Sequence, residues 1–162
     1  MILRNNWYVG NFREQILRAK TTGVIQSAAG NGRVASAPRN DYAEAAARIL
    51  VEFGHEGRIY EFCGDPWNFH TLAEIMSEIL GHAVVYRPVS AEEQLQTLLK
   101  AGMPQQTADF LVKLDTGIRT GIRKGIRKGT LDIKSKDLEN LLGRKPESLK
   151  GSISKILRQK KN

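Results

Sequence analysis

Cysteine is almost missing from this 162-residue chain, with Cys63 its sole example. A single thiol excludes an internal disulfide and a multi-cysteine metal site, and makes a cytoplasmic protein the default expectation. Aromatic residues are scarce at 7%. No apolar run approaches the roughly 18 residues that a membrane span needs. The opening Met1-Ile2-Leu3-Arg4 has neither the apolar stretch nor the small-residue cleavage site of a signal peptide. There is no Gly-x-Ser-x-Gly elbow, no Walker loop and no Tyr-x-x-x-Lys pair, and His55, His70 and His82 are not at metal-ligand spacing.

What is present is the material of one ordinary globular domain, with 41% apolar and 26% charged residues. The net charge of +8 is unevenly placed. Residues 1–112 carry 10 Lys and Arg against 12 Asp and Glu, a net −2, whereas residues 113–162 carry 15 against 5, a net +10. Such asymmetry fits a nucleic-acid or acidic-surface contact, and equally a solvated basic tail.

Strands are expected at Met1–Trp7, Arg58–Phe62 and Val84–Arg87. Helices are expected at 12–20, 41–53, 72–80, 90–100, from about Pro104, at 135–142 and at 149–157. Asp41, with Glu44 three residues on, reads as the N-cap of the second helix, with Ala43, Ala46, Ala47 and Leu50 as its packing face. Ser90 with Glu93 reads as a capping box. The extended runs around Gly30-Asn31-Gly32 read as a hairpin or an ordered loop. That loop is not a dinucleotide fingerprint, because it lacks the Gly-x-Gly-x-x-Gly spacing. Alternating strands and helices predict an α/β fold with a partly parallel sheet. Only three core strands are legible, which is thin for a doubly wound sheet.

Three features could carry chemistry. Asn5-Asn6-Trp7-Tyr8, with Asn11-Phe12, stands at the C-terminal end of a strand, where open α/β sheets bind ligands. Its amides suit a carboxamide and its aromatics could wall a flat ring; a Trp-Tyr core plug with turn asparagines is the alternative. Cys63 follows a strand and reads as a buried thiol or a reactive one; His70, beside Trp67 and Phe69, reads as a packing or capping residue. Residues 117–129 repeat Gly-Ile-Arg with a period of four. On a helix the isoleucines and arginines would form two stripes, but four glycines would cost about 4 kcal/mol against alanine. The segment is either a basic phosphate-seeking stretch or a tandem duplication tolerated at the surface. No aromatic interleaves its arginines, so a base-stacking platform is not indicated.

Ile2-Leu3-Arg4-Asn5-Asn6-Trp7-Tyr8 with Asn11 resembles the corresponding segment of NmrA-like atypical short-chain dehydrogenase/reductases, especially the quinone-reducing bacterial branch. The similarity continues through Ala28-Ala29-Gly30-Asn31-Gly32, Val34-Ala35-Ser36-Ala37 and Arg39-Asn40-Asp41-Tyr42-Ala43. It then takes in Gly54-His55-Glu56-Gly57, Gly64-Asp65, Leu72-Ala73 and Leu141-Leu142-Gly143-Arg144. It implies the C-terminal part of a Rossmann-like fold with a mostly helical substrate-side lobe, a single truncated domain over 1–162. The family's nucleotide-binding half would lie before Met1, and Met1 would fall inside a strand of the family's sheet.

The resemblance also implies an activity: hydride transfer from NAD(P)H to a quinone-like acceptor, by a piece expected to be inactive alone. Asn5, Trp7 and Tyr8 match cofactor-contacting positions, and Tyr8, Asn11 and Phe12 would face the acceptor. Asn6 replaces a family glycine, Val9-Gly10 replace a small polar residue and an acid, and Phe12 stands where tyrosine is common. The Gly-Ile-Arg repeat is an insertion relative to the family. The alternatives are a non-catalytic NAD(P)-sensing regulatory module, a module binding nucleic acid or a partner through the basic C-terminal third, and a degraded reading frame. An open strand edge at Met1–Trp7 calls for cover by a homo-oligomer or a complementary N-terminal chain.

Overall fold

The computed structural model describes residues 1–120 and 131–158. The expectations for the Gly-Ile-Arg repeat after Thr120 therefore lie outside the described residues. The described chain is helix-rich, with four short strands in two parallel pairs. It divides into two compact units. One comprises Met1–Leu17, Ala35–Pro66 and the described residues from Ile133 on; the other comprises Arg18–Val34 and the described residues between Trp67 and Asp132.

In the first unit, β1 (Ile2–Asn5) pairs in parallel with β3 (Ile59–Phe62), Ile2 opposite Ile59 and Asn5 opposite Phe62. Side chains alternate across a strand, and the two faces of this pair differ. Tyr60 and Phe62 turn toward α2 (Arg39–Val51) and α6 (Asp137–Leu142), where they join Tyr42, Ala45, Ile49, Leu138 and Leu142 in one core, with Leu3 against it. The Tyr42 and Phe62 rings stack with centroids 6.2 Å apart. On the opposite face Ile2 and Ile59 remain 53% and 50% exposed beside an Arg4–Glu61 ion pair of 2.6 Å. A short 3-10 turn at Val9–Phe12 follows β1 and packs on α7 (Leu149–Arg158), whose Ile153, Ile156 and Leu157 are buried as their spacing predicts.

Two expectations for α2 are corrected. Pro38, not Asp41, occupies the N-cap position; Asp41 lies in the first turn, buried, accepting from Arg144 Nη2 (2.9 Å) and from the Glu147 backbone N–H (2.6 Å). A carboxylate engaged from α6's far end has no need to cap its own helix. The inward stripe is Tyr42, Ala45 and Ile49, while Ala43, Ala47 and Leu50 are exposed. Turning the phenol and the isoleucine inward removes more apolar area from water than an alanine face would.

In the second unit, β2 (Val24–Ser27) pairs in parallel with β4 (Val85–Pro88). The chain around Gly30-Asn31-Gly32 is thus an ordered loop and not a hairpin. β2's partner lies some sixty residues on, and Val34 makes only an isolated antiparallel bridge to Trp67. α3 (Phe69–Leu80) is capped by Asn68, whose Oδ1 accepts from Thr71 N at 2.9 Å, and ends on Gly81 at φ 71°. His70 therefore packs rather than caps, its ring edge-on to Tyr86 at 4.9 Å. In α4 (Ala91–Lys100) the Ser90 hydroxyl accepts from Glu93 N, as the capping-box spacing predicts. α5 (Gln105–Thr120) runs further than its Ala108, Leu111 and Val112 face suggests, carrying Gly117 within the helix. α1 (Arg13–Thr22) begins in the first unit and ends in the second. No helix among the described residues is long and apolar enough to cross a membrane.

Candidate functional site

The site grows from the C-terminal end of β1. The parallel ladder continues one residue past the strand, with Asn6 N donating to Phe62 O at 2.8 Å. The chain then leaves β3 and runs beside 35–37 instead. Ala37 N donates to Trp7 O at 3.3 Å, and Val9 N donates to Ala37 O at 3.2 Å. Asn6 is buried, and its Oδ1 accepts from Trp7 N at 2.6 Å. An asparagine here serves as a turn former, satisfying backbone with its side chain.

Asn5 is exposed, and its Nδ2 donates to the Tyr8 hydroxyl at 3.3 Å. The half-buried Tyr8 ring meets Tyr42 edge-on at 5.4 Å, and the Arg39 guanidinium lies 5.1 Å from its centroid. A cation over a phenol is attracted by the negative face of the ring. Tyr42 donates weakly to Trp7 O at 3.5 Å, and burial pushes its phenol far above the ordinary range. Tyr42 is therefore a neutral support and not a proton donor of ordinary acidity.

The structure brings Asn5, Trp7 and Tyr8 together at one strand end. Trp7 is half-buried, Asn11 is exposed with its backbone N–H on Tyr8 O (3.1 Å), and Phe12 is 5% exposed in the core. Val9 and Phe12, not Trp7 and Tyr8, are the buried residues of the turn, while Asn5 and Tyr8 keep polar atoms at its rim. Cys63 is buried with its Sγ 3.8 Å from Ser135 O, and desolvation pushes the thiol up, which favours the inert reading over the reactive one. No local pattern marks Arg39 as part of this cluster. Its place over Tyr8 follows from the bridge between Tyr8 and Ala37, a tertiary pairing without local signal. Among the described residues no group of His, Cys, Asp and Glu could hold a metal ion.

No protein-family model matches the chain. Quinone oxidoreductase 2 of Escherichia coli is 38% identical to it over 156 residues, covering 96% of this chain and 52% of that protein. This chain is homologous to that protein over about half of that protein's length. Among solved structures, the NADPH-dependent quinone oxidoreductase of E. coli complexed with NADPH superposes with a TM-score of 0.84 at 35% identity, covering 96% of this chain and 52% of that one. The triphenylmethane reductase of Citrobacter sp. complexed with NADP(H) gives 0.85 at 35% identity, covering 94% and 51%. The chain thus spans about half the length of the curated relative it matches. The mixed α/β fold agrees with these relatives.

Proposed function

We propose that this NmrA-like chain forms the nicotinamide- and acceptor-facing part of an NAD(P)H-dependent oxidoreductase that reduces a quinone-like small molecule. The observation that carries the reading is the Asn5–Tyr8–Arg39 arrangement at the C-terminal end of a parallel strand. The chain's overall similarity to reductases solved with NADPH or NADP(H) supports the same reading. When bound, NAD(P)H would supply the hydride, and the protein's part is orientation. The exposed Asn5 amide offers a donor and an acceptor of the kind a carboxamide needs. Tyr8, edge-on to Tyr42 and with Arg39 over its ring, would present its hydroxyl to the acceptor, with the exposed Asn11 on the turn that follows. Trp7 backs the turn.

The donor set fits the nicotinamide end and not the pyrophosphate. The chain has no Gly-x-Gly-x-x-Gly turn at which a helix N-terminus would take the phosphates. In this reading the chain alone binds NADPH more weakly than about 1 µM and works only with a complementary α/β half. That half would cover the bare Ile2–Ile59 face, since parallel sheets are ordinarily buried on both sides. A cytoplasmic location belongs to the same reading, supported by the lone buried thiol.

The test grafts this chain in place of the matching portion of the E. coli relative and follows NADPH oxidation by a quinone. The chimera should turn over, and Tyr8→Phe or Asn5→Ala should lower kcat/KM at least about tenfold. A folded chimera that binds NADPH and reduces no quinone would overturn the reading.

A further inference from the structure

The polar side chains buried in the second unit close on one another: the Ser27 hydroxyl and the Gln94 Nε2 on α4 both donate to Asp115 Oδ2 on α5 at 2.6 Å. The cluster at the end of β1 does not close in this way. What it leaves over is charge of one sign and hydrogen-bond donors.

The carboxylates of the elements that carry the cluster are already matched. On α2, Asp41 accepts from Arg144 and from the Glu147 N–H, and Glu44 pairs with Arg48 at 3.0 Å and with Arg144 at 2.6 Å. On β3, Glu61 pairs with Arg4 of β1. Arg39 stands apart from these pairs. It is exposed, its guanidinium lies over the Tyr8 ring, and no carboxylate among the described residues pairs with it. A ring face attracts a cation without neutralising it, and the planar guanidinium keeps its N–H groups for a ligand.

The Tyr8 hydroxyl is a second donor. It accepts from Asn5 Nδ2 at 3.3 Å, so its own proton is not spent on that bond and has no acceptor among the described residues. The other polar side chains at the rim, Asn5 and Asn11, are exposed and uncharged. A neutral quinone carbonyl would use the phenol alone. A ring bearing an ionised oxygen would use the phenol and the guanidinium together, in charge-assisted bonds.

We propose that Arg39 makes this site select flat ring acceptors that carry a negative charge, such as quinones with an ionised hydroxyl, over neutral acceptors of the same size. The inference rests on the reading of this strand end as acceptor-facing, and adds to it the charge class of the acceptor. Arg39 is a specificity-determining residue in it and has no part in hydride transfer.

The test titrates the full chain, without cofactor, with two naphthoquinones, following the amide NMR signals of Asn5 and Tyr8. Lawsone carries a hydroxyl that is ionised at neutral pH; menadione carries a methyl group and no charge. Lawsone should bind about fivefold tighter or more, the gain of a part-exposed ion pair, and added salt should shrink the preference. Arg39→Gln should bring the ratio of the two affinities to about one, and Arg39→Lys should keep most of it. Equal affinities in the wild type, a preference that survives Arg39→Gln, or binding of neither quinone would overturn the proposal. If Arg39→Gln does not fold, the salt dependence of the wild-type ratio decides. Turnover of menadione by the chimera separates the two readings. Turnover without a charge preference in the chain removes the selection by Arg39 and leaves the reductase, and a charge preference without turnover does the reverse.

Discussion

Gly64 faces the carbonyl oxygen of Ser36 so closely that a methyl group on its Cα would overlap it, and would stand 3.2 Å from the Ser36 carbonyl carbon. The contact is backbone on both sides, because Gly64 N also donates to Ala35 O at 3.0 Å. The chain leaving β3 therefore lies directly against the 35–37 segment that flanks the Trp7–Tyr8 turn. Backbone cannot rotate away as a side chain can. Gly64→Ala should destabilise the protein by about 1–3 kcal/mol, read as a lower denaturant midpoint with an unchanged slope. A wild-type midpoint would show that the approach is not tight.

Asp41 ties α2 to the segment after α6. Its two oxygens take the Arg144 guanidinium and the Glu147 N–H, and it is buried while Arg144 is half exposed. Asp41→Ala should cost about 1–3 kcal/mol, because a part-buried N–H loses its acceptor. Asp41→Asn should cost less, since the amide oxygen still accepts. Glu44 also binds Arg144 (2.6 Å), and the guanidiniums of Arg144 and Arg48 hold its carboxyl below the usual range. Its ion pair is well solvated, so Glu44→Gln should leave the denaturation midpoint close to that of wild type. Chemical denaturation of the three variants checks the order.

Thermal stability should carry the signature of Asp115. Burial raises its carboxyl, so the folded state holds the proton more tightly than the unfolded chain does. The stabilising contribution is complete below the ordinary carboxylate pKa and is lost as pH rises through the raised one. Asp115→Asn should remove that fall, leaving a flatter profile of Tm against pH than wild type. Parallel profiles for the two proteins would contradict this.

Cys63 should resist thiol reagents until the fold opens. It is 3% exposed, and desolvation holds the thiol above its usual range, so little thiolate is present near neutral pH. Labelling in buffer should be slow and should follow global unfolding, becoming immediate in denaturant. Complete labelling of the native protein within the mixing time would refute it.

The sequence was a good guide wherever the physics was local. Gly81 stops α3, Ser90 caps α4, and the Ile153, Ile156 and Leu157 stripe turns inward, because each depends on neighbours within about one helical turn. It misled where a distant partner competes. Asp41 has the spacing of an N-cap, but Arg144 and Glu147, a hundred residues on, take its oxygens. The loop at Gly30 has hairpin chemistry, yet β2 finds its neighbour in β4.

The candidate site divides along the same line. Asn5, Trp7 and Tyr8 were legible as a strand-end cluster, and the amide–phenol contact between Asn5 and Tyr8 spans only three residues. Arg39 over the Tyr8 ring, and the convergence of Ser27, Gln94 and Asp115, had no trace in any local pattern.

The sequence alone determined that this is an α/β chain with amphipathic helices, a lone thiol, a basic final third, and an amide-and-aromatic cluster at a strand end. Periodicity, caps and charge are properties of adjacent residues, and they survive without a fold. Only the tertiary structure decided which face of β1 and β3 is covered, which cation lies over Tyr8, and which carboxyls are buried. Those outcomes depend on parallel pairings and helix packings between residues tens of positions apart, where burial sets the energy and no local preference can report it.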